Sequence, residues 1–260
     1  MAAIARRLLV ANAAACPDLH HDFGVVLGSP SAVSWGAQVA QVWPDGAAAA
    51  AGLQGEDRVR RVNGVPWSTD RGELTKFATA LAQIPQATRL ELAVERHGVM
   101  HRLTLTGQPR CAVEVRLSPR PVINAAALGH TIVIGGGLEQ LLRDDSELAF
   151  AVAHEMAHVV LGHTAPARRA EISAPARRRA LEEEADKLAL RLMAQASYDA
   201  AAASAAWLKI ADASRPALVR LLDIHGPYPA TAVRAAYLAD EARHLADKGN
   251  PWRLGARLAR

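Results

Sequence analysis

The chain has 260 residues, half of them hydrophobic and 22% charged, an ordinary balance for a globular protein long enough for one large domain or two modest ones. Its formal charge of +4 is mild and the basic residues are scattered, which argues against nucleic-acid binding. No apolar run reaches the ~18 residues that a membrane helix needs, and two cysteines are too few for a disulfide framework to be read directly.

The opening "MAAIARRLLVANAAACPD" carries a short apolar stretch broken by Asn12. An amphipathic helix explains it at least as well as an export signal, so residues 1–22 read as a helix and a linker. Residues 23–108 read mostly as strand. "AQVAQVW" predicts a strand, "GAAAAAGL" opens a short helix, and "DRVRRVNGVPW" predicts two strands around Asn63-Gly64. Both of those turn residues tolerate positive φ, which a tight hairpin requires. "LTKFATALAQI" fits one helix, and "RLELAVERHGVMHRLTLTG" alternates polar and apolar on both sides of Gly98, a second hairpin. From residue 111 onward the alanine-rich composition predicts helices, with a strand at "HTIVIGG".

The strand-rich region, residues 24–107, resembles a PDZ domain of the bacterial protease-associated kind. The likeness rests on "AAAAAGLQGEDRVRRVNGVPW", with its Ala-Gly-Leu and Val-Asn-Gly. The usual Gly-Asp pair is interrupted, because Glu56 stands between Gly55 and Asp57. The resemblance implies a module that binds extended peptides at an open sheet edge, with a carboxylate loop near "DFGVVLG". A module that only packs on its neighbour is the plainer alternative.

"DDSELAFAVAHEMAHVVLG" predicts one helix. Asp144 or Asp145 caps its start, Glu147 completes a capping box, and Gly162 stands where a helix commonly stops. His154 and His158 are four residues apart, so both imidazoles lie on one face, about 40° apart, with Glu155 about 100° round. Two histidines and a neighbouring carboxylate at this spacing suit a zinc site whose bound water the carboxylate addresses. Satisfied core histidines are the plainer reading, and a third ligand decides between the two. Downstream, "RRRALEEEADKLALRLMAQA" predicts a second helix. Glu182, Glu183 and Glu184 are the candidates. Glu182 shares its face with Asp186, so Glu182 can reach a metal while Asp186 orients a ligating histidine. Glu183 and Glu184 read as a solvated face. His163, nine residues from His154, reads as lying on the opposite side of its helix and outside the site. His20 and His21 read as surface residues.

Together "HEMAH" and "EEEAD" resemble the HtpX-like metallopeptidases, the family of the prenyl-protein endopeptidases and of a periplasmic chaperone-protease. The likeness runs over about residues 111–240, and "NAAALGHTIVIGGGLEQLLRDDSELAFAVAHE" looks like the family's edge strand and the approach to its active-site helix. It implies that His154, His158 and Glu182 hold one zinc ion per chain, with Glu155 as catalytic base and Asp186 in support. Many relatives carry His-Pro, four residues and an arginine after the third ligand. The matching stretch here is "YPATAVR", so Tyr228 replaces that histidine while Pro229 and Arg234 are kept. Tyr228 or Arg234 is then the donor to a developing oxyanion, and His225 lies three residues before Tyr228. "TAPARRAEISAPARRRA", between the motif helices, reads as an exposed connection or a flap.

The expected fold is therefore α+β: a mostly helical gluzincin-type peptidase domain with a small edge sheet, at 109–260, with a β-rich PDZ-like domain at 23–108 inserted behind residues 1–22. PDZ domains generally have their ends close together, so Cys16 and Cys111, which bracket this one, are expected to form a disulfide if the protein is exported. An exported or periplasmic location is favoured, with the cytoplasm open. The expected function is a zinc metalloendopeptidase acting on protein or peptide substrates, with the PDZ-like module binding substrate, binding a separate peptide ligand or regulating access. A role in quality control fits the family. The alternatives are a catalytically idle peptide-binding scaffold with a structural zinc, and a chaperone-like protein whose proteolysis is conditional. No nucleic-acid partner and no membrane-spanning segment are expected.

Overall fold

The computed structural model describes residues 1–28, 36–166, 175–214 and 231–247. The chain divides into two units, one of Met1–Pro17 with Cys111–Arg260 and one of Asp18–Arg110. The inserted unit is thus wider than the expected 23–108, because β1 (Leu19–Asp22) pairs with β8 (Gln108–Cys111) and draws residues 18–22 into it.

In the inserted unit the main sheet runs in the order β2 (Val25–Leu27), β3 (Ala37–Val42), β4 (Arg58–Val62), β6 (Arg89–Arg96), β7 (Val99–Thr106), with β5 (Val65–Pro66) pairing β4. Alternation decides which face is buried. Leu90, Leu92 and Val94 of β6 point into the core, and β6 pairs with β7 over its whole length. Val59 and Val62 of β4 are both fully buried although three residues apart; a bulge between Val59 and Arg61 resets the pleat. The two hairpin turns form as the sequence predicts. Asn63 and Gly64 have φ 47° and 84°, and His97 and Gly98 have φ 50° and 78°. α2 (Ala47–Ala50) is the expected short helix. α3 (Arg71–Ala82) starts three residues before the predicted stretch, because Asp70 caps it by accepting from the Gly72 and Glu73 amides. The interrupted Gly-Asp pair also has a structural answer. Glu56 takes φ 69°, a conformation in which glycine is more at ease, and Asp57 accepts from the Gln54 amide and from both Nε and Nη2 of Arg96.

The other unit is built around α5 (Asp145–Val160). Leu148, Ala149, Phe150, Ala151, Val152 and Ala153 follow one another round its whole circumference and are all buried, the signature of a helix enclosed by its neighbours. α1 (Ala2–Ala11), α6 (Pro175–Gln195) and α7 (Ala202–Ser214) pack on it, and α8 (Thr231–Asp247) packs on α6 and α7. Ala153 and Ala157 on α5 and Ala185 and Ala189 on α6 are fully buried in one core, and side chains this small let two helix backbones approach closely. Asn12, which breaks the first apolar stretch, is a tie rather than a flaw. Its Nδ2 donates to the carbonyls of Leu8 and Leu192, fastening α1 to α6. Cys16 and Cys111 are bonded, with Cα atoms 5.4 Å apart.

The helical expectation beyond residue 111 does not hold throughout. The described residues beyond 111 hold two strands besides β11 (Thr131–Gly135), namely β9 (Glu114–Ser118) and β10 (Ala125–Leu128). β11 pairs antiparallel with β10 and parallel with β9. The alanines of β10 favour helix when considered alone, but a ladder of four residue pairs to β11 overrides that preference. α4 (Gly136–Leu141) leads from β11 to α5. No described helix is long and apolar enough to cross a membrane.

Candidate metal centre

α5 starts where the sequence predicts. Asp144 accepts from the amides of Ser146 and Glu147, but the Glu147 carboxylate does not return to the cap. It is held instead by Lys209 of α7, at 2.6 and 2.7 Å. The helix therefore lies in the middle of the unit, pinned from the side, and presents residues 154, 155 and 158 on one stretch.

Three of the expected site residues come together. One ligand atom each from His154, His158 and Glu182 lie within 4.8 Å of one another. The two Nε2 atoms are 3.1 Å apart. His154 Nε2 is 3.2 Å from Glu182 Oε2, and His158 Nε2 is 3.6 Å from Glu182 Oε1. Donors about 2.0–2.2 Å from a tetrahedral zinc ion lie about 3.3 Å from one another, so the donor set fits such an ion in type and in spacing. His154 Nδ1 lies 3.0 Å from Asp186 Oδ1, within ion-pair distance.

Arg234 reaches the same cluster from α8. Its Nε and Nη2 donate to the two Asp186 oxygens at 2.8 and 2.7 Å, and its guanidinium lies 4.0 Å from the centre of the Trp207 ring. Nη2 also comes within 3.5 Å of Glu182. Expected as an oxyanion donor, Arg234 is turned onto Asp186. Tyr228, Pro229 and His225 lie outside the described residues, as do residues 167–174 of the connection between the motif helices.

Glu155 sits beside β10, near the Ala127 amide, and burial raises its carboxyl above the ordinary range. The other groups share charge unevenly. Burial opposes a charge on His154, but Asp186 and Glu182 outweigh it and raise this imidazole to about 10. His158 is pushed down to about 4, by burial first and then by the charge on His154. Burial works against ionised Glu182 and Asp186, yet His154 and Arg234 hold both below the usual carboxylate range. Two carboxylates around facing imidazoles call for a cation, and a metal ion meets that demand as well as a proton does.

Two participants were invisible to straight helical projection. His163 is only 3% exposed, and its Nδ1 lies 3.1 Å from His158 Nδ1. Its Nε2 is 3.3 Å from Glu184, so Glu184 is not only part of a solvated face. The signal was Gly162, which ends the helix before residue 163. His20 and His21, expected at the surface, are half-buried in the inserted unit.

Comparison with known proteins gives partial likenesses. No curated protein matches the chain. Among solved structures, the HtrA3 PDZ domain bound to a phage-derived ligand is 21% identical over 35% of this chain and 88% of its own, with a TM-score of 0.28. The HtrA-type protease AlgW with a decapeptide is 22% identical over 35% of this chain and 30% of its own, also at 0.28. The PDZ domain of EpsC from Vibrio cholerae is 23% identical over 32% of this chain and 78% of its own, at 0.26. The model of Peptidase family M48 matches residues 88–173, a stretch that contains His154, Glu155 and His158 and stops short of Glu182. That match bears out the resemblance to a metallopeptidase family over the part of the chain that carries "HEMAH".

Proposed function

We propose that the protein is a zinc-dependent metalloendopeptidase whose metal is held by His154, His158 and Glu182, with Glu155 as general base. One observation carries the reading: three donor atoms from two helices converge at the spacing of a tetrahedral zinc site, with a buried carboxylate on the adjoining residue. Zinc bound there supplies Lewis acidity, polarising a scissile carbonyl and activating water.

The chain's own groups do the rest. Glu155 takes a proton from the attacking water and delivers it to the departing amine, so the carboxylate is unchanged at the end of a turnover. Asp186 faces His154 Nδ1 and keeps the ring's Nε2 turned to the centre, and Arg234 holds Asp186 in place. Beside Glu155, β10 pairs with β11 on one edge only among the described residues. An extended substrate adding to the other edge of β10 brings a peptide bond alongside Glu155. The inserted unit presents or screens polypeptide substrates in the manner of PDZ-like modules, and a role in protein quality control fits that pairing.

The test combines zinc analysis with cleavage of an unfolded substrate such as casein. Glu155→Gln should keep the zinc and lose hydrolysis, and a chelator should stop the wild type. Zinc without any chelator-sensitive cleavage would favour the second reading, an idle peptide-binding scaffold. Binding of unfolded client without cutting would favour a chaperone-like protein.

A further inference from the structure

We propose that His163 is a positioning residue for the metal ligand His158, the middle of a relay that runs from His158 through His163 to Glu184. The inference rests on the metal-centre reading above and adds to it a residue that is neither a metal ligand nor the general base.

The placement of His163 follows from how α5 ends. Gly162 has φ 68°, its amide donates to the Val159 carbonyl at 3.0 Å, and the His163 amide donates to the His158 carbonyl at 2.8 Å. Those two bonds form a Schellman motif, which turns the chain back so that the second residue past the cap packs on the third residue from the helix end. That contact is usually apolar. Here it joins two imidazoles, with ring centres 5.1 Å apart.

Proton allocation is then forced. His158 must offer the lone pair of Nε2 to a metal, so its proton sits on Nδ1. His163 Nδ1, at 3.1 Å, must therefore accept. The single proton of a neutral His163 lies on Nε2 and points at Glu184 Oε2, 3.3 Å away. Any other allocation sets two N–H groups or two lone pairs against each other, or turns His158 Nε2 away from the centre. His154 reaches the same end by another route, since its Nδ1 faces an anion, Asp186, that Arg234 neutralises. The two ligands thus rest on unlike supports. One is a buried carboxylate. The other is a neutral ring backed by the half-exposed Glu184.

What His158 needs is an acceptor at the position of His163 Nδ1, and the side-chain oxygen of asparagine can reach about that place. The experiment measures zinc affinity of the full chain by competition with a chromophoric chelator. His163→Leu should bind zinc about 10–100-fold more weakly than the wild type, and His163→Asn should stay within a factor of about three. Equal affinity in wild type and His163→Leu overturns the proposal, as does an equal loss in the Asn and Leu variants. Nitrogen NMR of the zinc-loaded wild type gives a second reading that needs no variant to fold. A proton on His158 Nδ1 and on His163 Nε2 is expected, and a proton on His163 Nδ1 overturns the relay. Failure of the underlying reading looks different: the wild type binds no zinc, or His154→Ala binds it as tightly as the wild type.

Discussion

Arg234 is where two roles can be told apart by measurement. The family resemblance casts it as a donor to a developing oxyanion, whereas its geometry is that of a clamp. It is 6% exposed, it forks onto an Asp186 that is 1% exposed, and it stacks on Trp207. Replacing it with methionine fills much of the volume but strands a buried carboxylate beside His154. Breaking a buried, hydrogen-bonded pair from one side costs about 3–5 kcal/mol, because the remaining charge keeps its desolvation penalty. A pure oxyanion donor would behave otherwise, costing about 10²–10³ in kcat and leaving stability within about 0.5 kcal/mol. The discriminating assay is urea unfolding of the metal-free protein, in which catalysis plays no part. Arg234→Met should fall by about 3–5 kcal/mol. Arg234→Lys, which keeps the charge but lacks the fork, should fall between that variant and the wild type. Arg234→Met unfolding within about 0.5 kcal/mol of the wild type would refute the clamp.

Other predictions follow from single contacts. Asp57 is buried against Arg96, and although burial opposes it, the hydrogen bonds from Arg96 and the Gln54 amide hold its pKa below 3.8. Its contribution is therefore fully present above about pH 4 and is lost as the pH falls through the lowered folded value. Arg96→Leu should destabilise the inserted unit at pH 7 and flatten its acid unfolding limb, as followed by tryptophan fluorescence; an unchanged limb would exclude Asp57 as its source. Cys16→Ser removes a cross-link across a separation of 95 residues, worth about 4.7 kcal/mol if the whole loop unfolds with it. Because β1 pairs with β8 and keeps the ends of the inserted unit together, the effective loop is short. Calorimetry should show a loss nearer about 2 kcal/mol, with two transitions; one transition and the larger loss would mean that the units unfold together. Gly162→Ala should cost about 1 kcal/mol for the positive φ and also weaken zinc binding, which chelator competition can read.

Local signals in this sequence were reliable wherever one interaction dominates. Asn63-Gly64 and the run around Gly98 needed only turn chemistry, and both hairpins form there. β9 and β10 were hidden for the opposite reason. Ala125, Ala126 and Ala127 carry no strand preference of their own, and only pairing with β11 makes them extended. Glu147 illustrates the same limit at a helix start, where Lys209, 62 positions away, takes the carboxylate that the capping pattern claimed.

The site divides along the same line. His154 and His158 share a face by helical spacing alone, and Glu182 and Asp186 do so on α6, so the cluster could be assembled from two local patterns. His163 could not, because projecting it around the axis assumes a helix that continues. α5 stops at Val160, and at Gly162 the backbone leaves helical space. Past that residue, angular position loses meaning, and the cap geometry decides what the next side chain touches. The glycine was therefore the informative letter: "HVVLGH" places its second histidine against its first because the fifth residue can adopt a positive φ. A helix end is part of the surroundings of the side chains just before it, and reading it as a boundary alone discards His163, which packs on His158 from behind.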